Sequence, residues 1–137
     1  MIINDTATAL YSTLTSGTTV TALLAGTTSI YHMQAPDNAP LPYIVYSLQA
    51  GGPELINPSK LETNTWWVRV YSASSASNAA QIFEKADALL DRKNISITGA
   101  TTIQCVRDEN IALVEQTPTG KAIYDCGGMY RIRTTNT

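Results

Sequence analysis

Ile30-Tyr31-His32-Met33-Gln34-Ala35-Pro36-Asp37-Asn38-Ala39-Pro40-Leu41-Pro42-Tyr43-Ile44-Val45-Tyr46-Ser47-Leu48-Gln49 is the stretch on which the fold turns. Pro36, Pro40 and Pro42 each lack a backbone donor and push the preceding residue out of the helical region, so the first part cannot be regular structure. Residues 43–48 are β-branched and aromatic and read as a strand. A stiff arm, begun by Ile30 and Tyr31, therefore feeds directly into a strand.

Upstream, Asn4 or Asp5 is placed to cap a helix that starts near Thr6. Ala7, Leu10 and Leu14 share one face of it, and Gly17 is placed to end it. Residues 18–25 read as a second short helical turn, with Val20, Leu23 and Leu24 inward and Gly26 as its stop. Downstream, residues 50–64 hold Gly51, Gly52, Pro53 and Pro58 and read as a long loop at the tip of a hairpin, mobile in the free subunit. Residues 65–72 follow as a strand. Trp66, Val68 and Val70 point to one side, and Trp67, Arg69 and Tyr71 to the other. Both sides carry large groups, so both need cover; helices supply one, and a further helix or another subunit the other.

Ser75 or Ser77 can cap the next helix, whose apolar positions are Ala79, Ile82, Phe83, Ala86, Leu89 and Leu90. Ile95 and Ile97 suggest a short strand. Residues 102–107 form a longer one, bulged at 108–110 and resumed at 111–115. Pro118-Thr119-Gly120 makes a turn. Residues 122–133 form the last strand, where Gly127-Gly128 signals a bulge or a close backbone approach. The tail beyond Arg133 reads as frayed. The fold class is α+β: a mainly antiparallel sheet, two principal helices packed on it and a long hairpin loop, in a single domain over residues 1–137.

Composition narrows the function. The chain has 137 residues, enough for one domain with a real core. Charged residues make up 15%, below the usual quarter, which suits a protein that hides surface against partners. Net charge is −2 with no basic cluster, which argues against a nucleic-acid-binding surface. No apolar run approaches the ~20 residues of a membrane span. Met1 is not followed by a basic segment and then an apolar one, so no signal peptide and a cytoplasmic site of folding are expected. Pairing the last two strands around residues 117–120 sets Cys105 opposite about position 132 and Cys126 opposite about 111, too far apart for a disulfide.

Catalytic chemistry finds no foothold. There is no phosphate loop, nucleophile elbow or metal-ligand cluster. His32 is the only histidine and has no second ligand at metal spacing. Asp108 and Glu109 read as solvated at a bend. No catalytic residue, metal or cofactor is assigned.

Several motifs occur together in order: Leu23-Leu24-Ala25-Gly26 after a first helix, then Ile30-Tyr31, Ala35-Pro36 and Pro42-Tyr43-Ile44-Val45. Val70-Tyr71-Ser72 leads into the Ala-rich helix, and Met129-Tyr130-Arg131-Ile132-Arg133 closes the chain. This order resembles the tail completion, or tail terminator, proteins of tailed bacteriophages. The Trp66-Trp67 pair, the Gly127-Gly128 pair and the Thr-rich surface depart from that pattern. The resemblance implies a structural virion protein at the head–tail interface, assembled in the host cytoplasm. It implies a homo-oligomeric ring, typically a hexamer, that ends tail-tube polymerisation and joins the tail to the head connector. Its partners would be its own copies, the tail tube protein and the head completion or connector protein. Genomic DNA would pass through the lumen unbound, with no membrane involved. Glu54, Leu55, Ile56, Lys60, Glu62, Trp66, Trp67, Arg69, Asp108 and Glu109 are the candidate interface residues. Another head–tail connector or minor tail protein, or a small ligand-binding domain or enzyme, are the alternative readings.

Overall fold

The computed structural model describes residues 2–54 and 61–136. Its elements are α1 (Ile2–Ser16), α2 (Thr18–Thr21), β1 (Ile30–His32), β2 (Tyr43–Glu54), β3 (Leu61–Ser72), α3 (Ala76–Leu90), β4 (Ala100–Gln116) and β5 (Ala122–Asn136). The strands form one sheet in the order β1-β2-β3-β5-β4, antiparallel except for β1 beside β2. The α+β expectation holds.

The arm departs from expectation at its start. Ile30, Tyr31 and His32 pair with Ile44, Val45 and Tyr46 as a parallel strand. Residues 33–42, which hold all three prolines, contain no helix or strand. They form the crossover that returns the chain to run parallel to its own beginning. Met33 turns it with a φ of 69° and donates its N–H to the Tyr46 carbonyl at 2.8 Å.

The expected loop is shorter than its glycines and prolines suggest. β2 and β3 stay paired as far as Pro53↔Glu62 and Glu54↔Leu61, with one irregularity at Gln49. Cross-strand pairing outweighs the local breakers because Pro and Gly are tolerated on a strand at a sheet edge. Residues 50–54 and 61–64 are therefore strand, the base of a long hairpin arm; its tip, residues 55–60, lies outside the described residues.

α1 begins at Ile2, a turn earlier than its caps suggested, and Ile3 packs against the core. Its threonines accommodate the helix by donating back one turn: Thr8 to the Asn4 carbonyl at 3.0 Å and Thr13 to that of Ala9 at 2.8 Å. Ser75 caps α3, its side chain accepting from the Asn78 N–H at 3.0 Å. Ile95 and Ile97 are buried but form no strand. The chain beyond Arg133 is not frayed: Thr134, Thr135 and Asn136 pair with β3 or β4.

The core lies on one side of the sheet. Ile44, Tyr46, Trp66, Val68, Val70, Tyr130 and Ile132 meet Leu10 and Leu14 of α1 and Ile82, Phe83, Ala86 and Leu90 of α3. Leu89 is only partly buried, because it lies over Gly17 at the end of α1, at the margin of the core. Tyr130 and Arg107 both donate to Asp87, tying α3 to the two last strands. The glycine pair marks a close approach. A side chain at Gly127 would meet the backbone of β3, and one at Gly128 the Phe83 ring at 3.0 Å. The bulge in β4 falls at Asp108, between the pairs Arg107↔Tyr130 and Glu109↔Met129, while the glycines themselves face Asn110 and Ile111. Cys105 faces Ile132 and Cys126 faces Ala112, and both are free thiols, close to the register read from sequence.

Candidate assembly surface

A strand alternates its side chains between two faces. In β3, Trp66, Val68 and Val70 go to the core, so Thr63, Thr65, Trp67, Arg69 and Tyr71 go to the opposite face. Register sets Val45 and Ser47 of β2 beside them. From β5 come Asp125, Met129, Arg131 and Arg133, and from β4 Ile111, Leu113 and Glu115. None of the described helices covers this face. Its centre is a half-buried belt of aromatic, methionine and arginine side chains.

Arg69 organises the belt. Its guanidinium pairs with Asp125, lies 3.7 Å from Glu115 and sits over the rings of Trp67 at 4.8 Å and Tyr71 at 5.5 Å. The Asp125 side chain has no exposed surface. Burial pushes its carboxyl up, against the pull of the Arg69 guanidinium. Burial, with the Asp125 charge beside it, pushes the Tyr71 hydroxyl up to about 12. Trp67 Nε1, Arg69 Nε and Asp125 Oδ1 are buried and make no hydrogen bond among the described residues.

At the hairpin arm Glu54 accepts two bonds from Arg133, both at 2.8 Å, and one from the Thr63 hydroxyl at 2.7 Å. These bonds hold the Glu54 carboxyl below the usual glutamate range. The pair is solvent-facing, so it fixes the geometry of the arm more than it stabilises the fold. Near the β4 bulge, Arg131 lies 3.7 Å from Asp108. Against the arm after β1, Asp37, Tyr43, Tyr71 and Glu115 line a polar cleft of about 340 Å³, with Met33 exposed at its edge.

The candidate residues from sequence scatter over these features. Trp67 and Arg69 sit in the belt, Glu54 on the hairpin arm, Asp108 in the bulge and Glu109 exposed beyond it. Trp66 is a correction: it is fully buried in the core, since alternation sends its neighbour outward and itself inward. Glu62 faces the helix side and has no ion pair among the described residues. Leu55, Ile56 and Lys60 lie outside the described residues. Sequence reasoning missed Tyr43, Tyr71, Glu115, Asp125, Met129 and Arg133. A signal existed for Asp125: a lone carboxylate in the apolar run Ala122-Ile123-Tyr124-Asp125-Cys126 needs a buried cation, and Arg69 sits in another apolar strand.

Among the described residues no group of three His, Cys, Asp or Glu side chains could hold a metal, and no helix is long and apolar enough to cross a membrane. His32 stacks on Tyr46 at 5.1 Å, a packing role.

The model of the family described as tail completion protein gp17 matches residues 8–126. Twenty chains of solved structures are similar. One, from the structure described as "Virion of native gene transfer agent (GTA) particle", superposes with a TM-score of 0.71 at 14% identity, over 93% of this chain and 92% of that one. At that identity the likeness is one of fold. No curated protein matches in sequence.

Proposed function

The chain belongs to the tail completion protein gp17 family, and from that premise we propose that it closes as a hexameric ring on the head-proximal end of a phage tail tube. The ring ends tube polymerisation and gives the head connector a surface to dock on. It is a structural part of the virion tail and works by binding, without turnover chemistry.

The observation that carries this reading is the asymmetry of the sheet. Helices bury one face, while Tyr43, Trp67, Arg69, Tyr71 and Met129 lie half-open on the other. Aromatic residues, Met and Arg are the types enriched at interface centres. A ring needs one patch to meet a different patch on the next copy, and the belt and the hairpin arm are two such patches at separate places on the sheet. DNA passes through without binding. Glu54 and Asp108 are neutralised by Arg133 and Arg131, so repulsion of phosphate over ~8–10 Å falls to Glu62 and Glu109.

Native mass measurement of the purified chain, alone and with tail tubes, tests the ring. A phage lacking the protein should make filled heads and tails that fail to join, often with tubes of uncontrolled length. Tails of normal length joined normally to heads would overturn the assignment.

A further inference from the structure

An open sheet leaves two edges whose backbone groups need partners or protection. On the β2 side the edge strand is β1, three residues long, too short to offer much pairing. β1 pairs with residues 44–46, and the Ile44 N–H donates to the Ser29 carbonyl at 3.0 Å. Beyond β1, the irregularity at Gln49 and Pro53, which has no N–H, spoil the edge for pairing. On the β4 side the first half is closed. The Arg92 N–H donates to the Cys105 carbonyl at 2.7 Å, and the Arg107 N–H donates to Asp91 Oδ1 at 2.8 Å.

Residues 109–116 differ. Their register with β5 is unbroken, they hold no Pro, Gly or Lys, and among the described residues no hydrogen bond reaches their outer edge. Leu113 and Val114 are 51% and 61% exposed, on opposite faces. Beneath Ala112 and Val114 an apolar groove of about 290 Å³ opens against Ala76, Ala79 and Ala80 of α3, whose methyls are too short to fill it. On the other face the segment carries Glu109 and Glu115, and no cation.

We infer that residues 109–116 are the docking edge for an extended segment of a partner protein, added as a sixth strand, with apolar side chains toward the groove and basic ones toward Glu115 and Glu109. Main-chain bonds supply the attachment and the two faces supply the selectivity. Charge disfavours a second copy of β4 paired about Ala112. The antiparallel pairing that uses residues 109–115 in full places Glu109 of each copy opposite Glu115 of the other, and directly opposed like charges destabilise a sheet. A lysine- or arginine-bearing strand meets the same carboxylates favourably. The inference does not rest on the ring: a chain that stays monomeric and still takes the strand would overturn the ring alone.

The test uses the full chain with two capped eight-residue peptides, one alternating valine with lysine and one alternating valine with glutamate. The valine–lysine peptide should slow amide exchange at residues 109–116 and leave residues 101–107 unchanged. Glu115→Lys should weaken its binding several-fold and abolish the preference for lysine over glutamate, because the new ammonium offsets the Glu109 that remains; Glu115→Gln should reduce the preference by less. Both variants should keep the wild-type circular dichroism, and if Glu115→Lys fails to fold, Glu115→Gln decides. Three outcomes overturn the inference: no protection by either peptide, equal binding of both whatever stands at position 115, or a strand already protected in the chain alone by a second copy.

Discussion

Replacing Asp125 with alanine removes the carboxylate but leaves the Arg69 guanidinium between Trp67 and Tyr71. Breaking a buried pair from one side costs ~3–5 kcal/mol, because the remaining charge keeps its desolvation penalty without its partner. Here Arg69 is 17% exposed and Glu115 lies 3.7 Å away, half-exposed and able to take part of the charge. The cost should therefore fall near the lower limit, about 3 kcal/mol, or roughly 10 °C of melting temperature for a domain of this length. Removing both charges, in Arg69→Met with Asp125→Ala, leaves neither group stranded and should cost less than Asp125→Ala alone. Arg69→Met by itself should show a pH dependence. Burial holds the Asp125 carboxyl above its unfolded value, and without Arg69 nothing opposes that. The neutral carboxyl is tolerated below the unfolded value of about 3.9, and stability is lost as pH rises from there through the raised folded value. Urea unfolding of dilute monomer, followed by tryptophan fluorescence at pH 4 and pH 7, measures all of these. Additive losses, with the double variant as weak as the two singles summed, would refute the argument.

Three further outcomes are expected. Gly127→Ala should cost about 1–3 kcal/mol, since the new methyl runs into the Val68 carbonyl oxygen and lies 2.8 Å from Arg69 Cα, while Gly52→Ala, which faces open space, should change stability by about 0.5 kcal/mol or less in a thermal melt. Cys105 and Cys126 should both react with a thiol reagent when the chain is unfolded without reductant, and Cys105, whose thiol burial pushes up to about 12, should resist it in the folded chain; a mass two units lower with no labelling would show a disulfide. Carbon-detected NMR should find the Glu54 carboxyl titrating below the ordinary value of about 4.3, so its tie to Arg133 is present above that value and lost as pH falls through the lower folded one; Arg133→Gln should return the midpoint toward normal, and an unchanged midpoint would remove the tie.

Much of the fold was legible because local chemistry and tertiary structure agree there. The alternation through Trp66-Trp67-Val68-Arg69-Val70 gave both faces of β3, the apolar spacing from Ala79 to Leu90 gave α3, and Pro118-Thr119-Gly120 gave the last turn. The family order was visible for the same reason: each motif sits at an element boundary. Cysteine separation followed from one hairpin register.

What only the tertiary structure decided lies where distant segments compete with local preference. Glycines and prolines read as a loop, yet Gly51, Gly52 and Pro53 sit in β2 because Asn64, Thr63 and Glu62 pair with them. Ile30–His32 is too short to announce itself and becomes a strand only beside residues 44–46. The Arg69–Asp125 pair joins residues from two strands distant in sequence, and no periodicity reports such a meeting. Trp66 and Trp67 are identical in type and adjacent, so sequence assigned both to an interface. One enters the core and the other the open face because helices cover a single side of the sheet. Chain order leaves that choice open, and packing makes it.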